Sequence, residues 1–112
     1  GCIIQAGVRI GDNSSMGALV HIGHESTIGN SVFLAHGACI SGLVQIEDGV
    51  FVGTNATVLP RLTVGRWATI GAGAVVVEDV PEYSTVAGNP ARILKSHRPV
   101  YEHANIFSRT SP

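Results

Sequence analysis

From Ile4 onward, every sixth residue is aliphatic or methionine: Ile4, Ile10, Met16, Ile22, Ile28, Leu34, Ile40, Ile46, Val52, Val58, Val64, Ile70 and Val76. The residue four places after each is small or β-branched, from Val8 and Ser14 to Ala68 and Ala74, with Leu62 the larger exception. The residue directly after is often glycine, at 11, 17, 23, 29, 53, 65 and 71. Helices repeat every 3.6 residues and half-buried strands every two, so neither accounts for a period of six. A six-residue period held over most of a chain marks a parallel β-helix of hexapeptide repeats. Each hexad predicts one short strand and one turn. The large aliphatic and the small residue point inward, and glycine relaxes the backbone at the turn. Three hexads close a triangular coil of 18 residues, so residues 18 apart stack, and the repeat gives about four coils.

The pattern stops at Val76, which divides the chain into a repeat over 1–77 and a return segment and tail over 78–112. Glu78-Asp79-Val80-Pro81 breaks the period, and Ala87-Gly88-Asn89-Pro90-Ala91-Arg92-Ile93 reads as a turn-rich return. Residues 94–112 read as a short helix or extended tail, with a basic cluster at Arg92, Lys95 and Arg98. The chain opens in register with the repeat and without a starting methionine, which predicts an N-terminal domain in a longer parent protein.

Composition narrows the picture. At 112 residues there is room for one domain, and aromatics are scarce at 5% because a narrow coil has no room for rings. A net charge of −1 provides no field to gather nucleic acid. No apolar stretch is long enough to insert in a membrane and no signal peptide is visible, so the expectation is a cytoplasmic protein. Cys2 falls on an inward small position and Cys39 beside the repeat; both read as reduced fillers without metal-like spacing. A slim prism also leaves flat faces that need partners, which predicts a homo-oligomer.

Candidate chemistry collects in one coil. His21, His24 and His36 lie there, and His24 and His36 share the same outer position of their hexads. Stacking by 18 gives one column of Ala6, His24, Gly42 and Pro60 and another of Ala18, His36, Thr54 and Ala72. The first sets an imidazole beside a glycine backbone. Acyl transfer needs that pair: a base to take the acceptor's proton, and an N–H for the oxyanion that develops on the thioester carbon. The second column, small residues above a histidine, suits a long thin ligand. No cysteine or serine stands where a covalent nucleophile belongs. The three histidines could instead bind zinc at an interface, although a spacing of three points His21 and His24 apart.

The segment His21-Ile22-Gly23-His24-Glu25-Ser26-Thr27-Ile28-Gly29-Asn30, followed by Phe33-Leu34-Ala35-His36-Gly37-Ala38-Cys39-Ile40-Ser41-Gly42, resembles the active-site coil of hexapeptide acyltransferases. It is similar to the UDP-sugar acyltransferases of lipid A synthesis, and more so to sugar O/N-acetyltransferases of the sialic acid O-acetyltransferase type. The ending Ile70-Gly71-Ala72-Gly73-Ala74 with Ala87-Gly88-Asn89-Pro90-Ala91-Arg92 is shared across that superfamily. The resemblance implies a left-handed, all-β helix that assembles as a homotrimer. It implies His24 as general base, Glu25 as the carboxylate that favours its charged form, and Gly42 as oxyanion donor. It places acetyl-CoA along Phe33, Thr54 and Ala72, with His36 in the same column and Arg92 and Lys95 near the 3′-phosphate. Many members carry histidine at the place of Phe33, so here that contact is packing alone.

The predicted function is therefore direct acetyl transfer from acetyl-CoA to a hydroxyl or amino group of a sugar or nucleotide sugar, without a metal. The site would draw on two neighbouring chains. Two alternatives remain open: a zinc hydratase of the γ-carbonic-anhydrase type, and a non-catalytic oligomerisation scaffold. The first normally uses two histidines five apart, a spacing absent here.

Overall fold

The computed structural model describes residues 1–96, as thirteen two-residue strands and two longer ones. Each short strand is the aliphatic of a hexad and the residue before it, from Ile3–Ile4 to Val75–Val76. Pairing is parallel with a register of 18: Ile4 with Ile22, Ile22 with Ile40, Ile40 with Val58, Val58 with Val76. Three sheets result. The first stacks the strands ending on Ile4, Ile22, Ile40, Val58 and Val76, and the second those ending on Ile10, Ile28, Ile46 and Val64. The third stacks those ending on Met16, Leu34, Val52 and Ile70 and continues into Ser84–Ala87 and Arg92–Ser96. The fold is the predicted left-handed parallel β-helix.

One large and one small side chain per hexad fill the narrow triangle. Ile22, Ile28, Leu34, Ile40, Ile46 and Ile70 are buried, interleaved with Val20, Ala38, Val44, Ala56, Ala68 and Ala74. Two serines interrupt that inner column, Ser14 half-buried and Ser26 fully buried, and Ser26 shows how the hydroxyl is accommodated. Its hydroxyl donates to the Ser41 carbonyl at 2.8 Å and accepts the Val44 N–H at 3.1 Å, so nothing polar is stranded.

The left-handed turn conformation falls elsewhere than predicted. It is the residue three places after each aliphatic that has positive φ: glycine at 7, 37, 49 and 73, and otherwise Asn13, Leu19, Glu25, Ser31, Leu43, Asn55, Arg61 and Trp67. The glycines directly after the aliphatics serve a different need, the close approach of successive coils. A methyl group on Gly23 would lie 2.5 Å from the Gly42 nitrogen and the Ser41 carbonyl carbon, both backbone atoms that cannot swing aside.

The stack also exceeds the predicted four coils. After Val76 the chain makes a further turn shortened by two residues: Val80 pairs with Val64, and Thr85 and Val86 with Thr69 and Ile70, at offsets of 16. Residues 94–96, for which helix or tail was predicted, belong to a strand running antiparallel to Ser84–Ala87. His97, Arg98 and His103 lie outside the described residues. No helix among the described residues is long and apolar enough to cross a membrane.

Candidate active site

His24 stands two residues past its strand, at the corner that follows the first sheet. Three backbone bonds tie this corner to its neighbours: Glu25 N–H to the Ala6 carbonyl at 2.9 Å, Leu43 N–H to that of His24 at 2.9 Å, and Arg61 N–H to that of Gly42 at 3.1 Å. Ala6, His24, Gly42 and Pro60 therefore stack as the register of 18 requires. The imidazole leans onto the next coil. A methyl group on Gly42 would lie 2.6 Å from His24 Cε1, 2.7 Å from Nδ1 and 3.3 Å from Nε2. Gly42 has no left-handed φ, so its need for glycine is space: the ring occupies the volume any side chain there would fill. His24 is exposed, and its ring is open to an acceptor.

Why the Gly42 amide is open follows from the same stacking. At four other corner positions the equivalent amide is capped by a side chain. Gln5 Oε1 accepts the His24 N–H at 2.9 Å and Glu47 Oε1 that of Arg66 at 3.1 Å, each acceptor lying 19 residues earlier. Asn30 Oδ1 accepts from Asp12 at 2.7 Å and Asp48 Oδ1 from Asn30 at 2.8 Å, each 18 residues later. For Gly42 the two capping positions are Gly23 and Pro60, neither of which has an acceptor. Among the described residues its N–H meets no partner. The amides of Asp48 and Thr54 are open for the same reason, and Thr54 too has an imidazole one coil below, at His36; of the three, position 42 alone is glycine, so there the ring lies directly on the backbone. Gln5 is the residue the sequence reading missed. A long amide 19 residues before a corner is the signal that could have found it.

Glu25 does not rest on His24. Its φ of 56° turns it toward the preceding coil, where its Cγ lies 2.8 Å from the place of a methyl group on Gly7. The one ion pair among the described residues is Arg66–Glu82. His21 faces outward from the first sheet with Nδ1 4.0 Å from Cys39 Sγ. Both cysteines are free; Cys2 donates its thiol to the Gly17 carbonyl at 3.2 Å, the bond Ser14 and Ser26 make from the inward column, and is exposed as Ile4 and Ile10 of its coil are. Among the described residues no three His, Cys, Asp or Glu side chains converge as a metal site would need.

The residues predicted for acetyl-CoA follow a different edge. His36, Thr54 and Ala72 stack at the corner after the third sheet, tied by Asn55 N–H to the His36 carbonyl at 2.9 Å and Gly73 N–H to that of Thr54 at 2.8 Å. Phe33 and Phe51 lie on the outer face of that sheet with ring centroids 5.4 Å apart and planes 17° from parallel. Arg92 and Lys95 are exposed on the strand that closes the same sheet, opposite Ala87 and Thr85. Between this edge and the His24 corner lies the outer face of the first sheet. One chain assembles the two groups separately and does not bring them together.

A triangular β-helix wound from hexads places the chain among the hexapeptide-repeat folds. Residues 44–78 match the bacterial transferase hexapeptide family, six repeats. The chain is similar to the 2,3,4,5-tetrahydropyridine-2,6-dicarboxylate N-acetyltransferase of Brevibacillus brevis, 52% identical over 52 residues that make up 46% of this chain and 22% of that protein. A serine acetyltransferase solved in complex with cysteine superposes with a TM-score of 0.83 at 33% identity, over 87% of this chain and 42% of that one. Another, in complex with CoA, gives 0.78 at 36% identity over 81% and 41%. The match thus spans about a fifth of that curated relative and less than half of these structures. What the matches support is the hexapeptide-repeat acetyltransferases as a class. The relatives are named for serine and for a tetrahydropyridine dicarboxylate rather than for a sugar.

Proposed function

We propose that this β-helix carries the transfer chemistry of an acetyl-CoA-dependent acetyltransferase acting on a hydroxyl or amino group of a sugar or nucleotide sugar. The observation that carries the proposal is the His24 ring packed on Gly42, whose amide is uncapped. The imidazole takes the acceptor's proton as the acceptor oxygen or nitrogen attacks the thioester carbon. The Gly42 N–H holds the oxyanion. The C–S bond then breaks, and the imidazolium returns the proton to the departing CoA thiolate. Glu25 is exposed one residue away, and its role is to favour the charged imidazole once rotated off Gly7. Acetyl-CoA lies along Phe33, His36, Thr54 and Ala72, with Arg92 and Lys95 at its phosphate end. Because those residues and His24 occupy separate edges of one chain, the site closes between copies in a homotrimer.

The sugar acceptor rests on the resemblance of residues 21–42 to sugar acetyltransferases. The names of the relatives supply a second reading, an amino acid or dicarboxylate acceptor. One experiment covers both: release of CoA thiol from acetyl-CoA, followed against nucleotide sugars, free amino sugars, serine and dicarboxylates. His24→Ala should lower turnover with the accepted substrate at least about a hundredfold, the scale of a lost general base. Equal turnover in wild type and variant would remove His24 from the mechanism.

A further inference from the structure

The corner after the second sheet carries a feature that acetyl transfer leaves unused. Trp67, the chain's single tryptophan, holds a left-handed φ of 58°. It stands where Asn13, Ser31 and Gly49 occupy the coils before it. A methyl group on Gly49 would lie 2.4 Å from Trp67 Cδ2 and Cε3 and 2.6 Å from Cζ3. A point nearly equidistant from three consecutive atoms of a six-membered ring sits over its face, so the indole lies flat on Gly49. The residue is 51% exposed, which leaves ring surface free beyond the contact with Gly49.

A shallow cavity of about 300 Å³ lies on the outer face of the second sheet, lined chiefly by Thr27, Gln45, Glu47, Asp48 and Arg66, the last the sequence neighbour of Trp67. Trp67 is joined to this wall by its N–H to the Asp48 carbonyl at 2.8 Å and by its neighbour Arg66. Glu47 and Asp48 each commit one carboxylate oxygen to a backbone N–H and keep the other. Gln45 and Thr27 point outward from paired strands, with no side-chain partner among the described residues. The one cation, Arg66, is already paired with Glu82 at 2.7 Å. The wall is thus rich in hydroxyl partners and net negative, which disfavours phosphates and carboxylates.

We propose that this corner binds an uncharged carbohydrate, its C–H face stacked on Trp67 and its hydroxyls held by Gln45, Glu47 and Asp48. The site is on a different edge from His24, and the proposal stands independently of the transferase reading. The single tryptophan makes its emission a local reporter. Titration with galactose, N-acetylglucosamine and a chitin trisaccharide should shift that emission saturably, while AMP at the same concentrations should not. Gln45→Ala, an exposed change that keeps the fluorophore, should weaken the saccharide about fivefold, the scale of one hydrogen bond. Trp67→Ala should abolish the saturation-transfer NMR signal of the bound sugar. No emission shift with any saccharide would overturn the proposal. So would an equal response to AMP, or a sugar signal unchanged in both variants.

Discussion

Replacing Gly42 with alanine separates the proposed chemistry from the fold. The added methyl group would stand 2.6 Å from His24 Cε1 and 2.7 Å from Nδ1. Carbon atoms in contact sit about 3.5 Å apart, so the ring must retreat by roughly 0.9 Å. The ring is exposed and can do so without disturbing the core, and φ at position 42 is not left-handed. Stability should therefore change little. A displacement on the order of 1 Å in a reacting group costs about a hundredfold in rate, or about 2.7 kcal/mol of barrier. The assay is CoA thiol release with the accepted substrate, run beside thermal unfolding by circular dichroism. Gly23→Ala is the contrasting variant, since its methyl group would meet the Gly42 nitrogen and the Ser41 carbonyl carbon at 2.5 Å, backbone that cannot rotate away. It should lose stability outright. Wild-type turnover in a folded Gly42→Ala protein would refute the claim that the ring packed on Gly42 is the working geometry.

Other consequences concern the scaffold. Ile40 is fully buried in the middle coil, so Ile40→Ala should cost about 2–5 kcal/mol in urea unfolding. Ser26→Ala would strand the Val44 N–H and the Ser41 carbonyl, and should cost about 1–3 kcal/mol by the same measurement. Glu82 holds the Arg66 guanidinium above its ordinary range, through the hydrogen bond first and its charge second. A raised pKa gives stability present below the ordinary arginine value and lost only above the shifted one. Glu82→Gln should then have an effect that is small, salt-sensitive and constant between about pH 6 and 9, checked by thermal unfolding across that range.

The period of six gave the winding, the inward columns and the pairing of His24 with Gly42, because each follows from a register of 18 without further information. Where the register failed, so did legibility. The last turn is 16 residues long, and loss of two residues after Val76 erases the periodic signal while Val80 and Val86 still take inward places. The left-handed corners were hidden for a different reason. Leu19, Leu43, Arg61 and Trp67 occupy them, residues whose own preferences argue against positive φ, held there by coil stacking. Glu25 shows the same effect at the site itself: the family resemblance sets it beside His24 as a partner, and its left-handed φ lays its Cγ against Gly7 of the preceding coil.

The uncapped amide follows from which residues are missing rather than from any residue present. Gln5 caps His24 and Glu47 caps Arg66 from 19 residues back, and Asn30 and Asp48 cap the second-sheet corner from 18 ahead. A corner amide is therefore closed by default wherever an acceptor of the right reach stands on either adjoining coil. At Gly42 both positions are emptied at once, by Gly23 below and Pro60 above, while the coil below supplies the imidazole. Restoring a cap reverses that condition. Pro60→Asn would place on the coil above the same acceptor that Asn30 offers Asp12, 18 residues ahead of the amide it closes. A capped Gly42 N–H can no longer hold an oxyanion, and loss of one such donor costs roughly a hundred- to a thousandfold in kcat. Because Pro60 is exposed at a corner, unfolding should be little changed. Undiminished kcat, together with amide hydrogen exchange at Gly42 slowed by the new bond, would show that this N–H takes no part in the reaction.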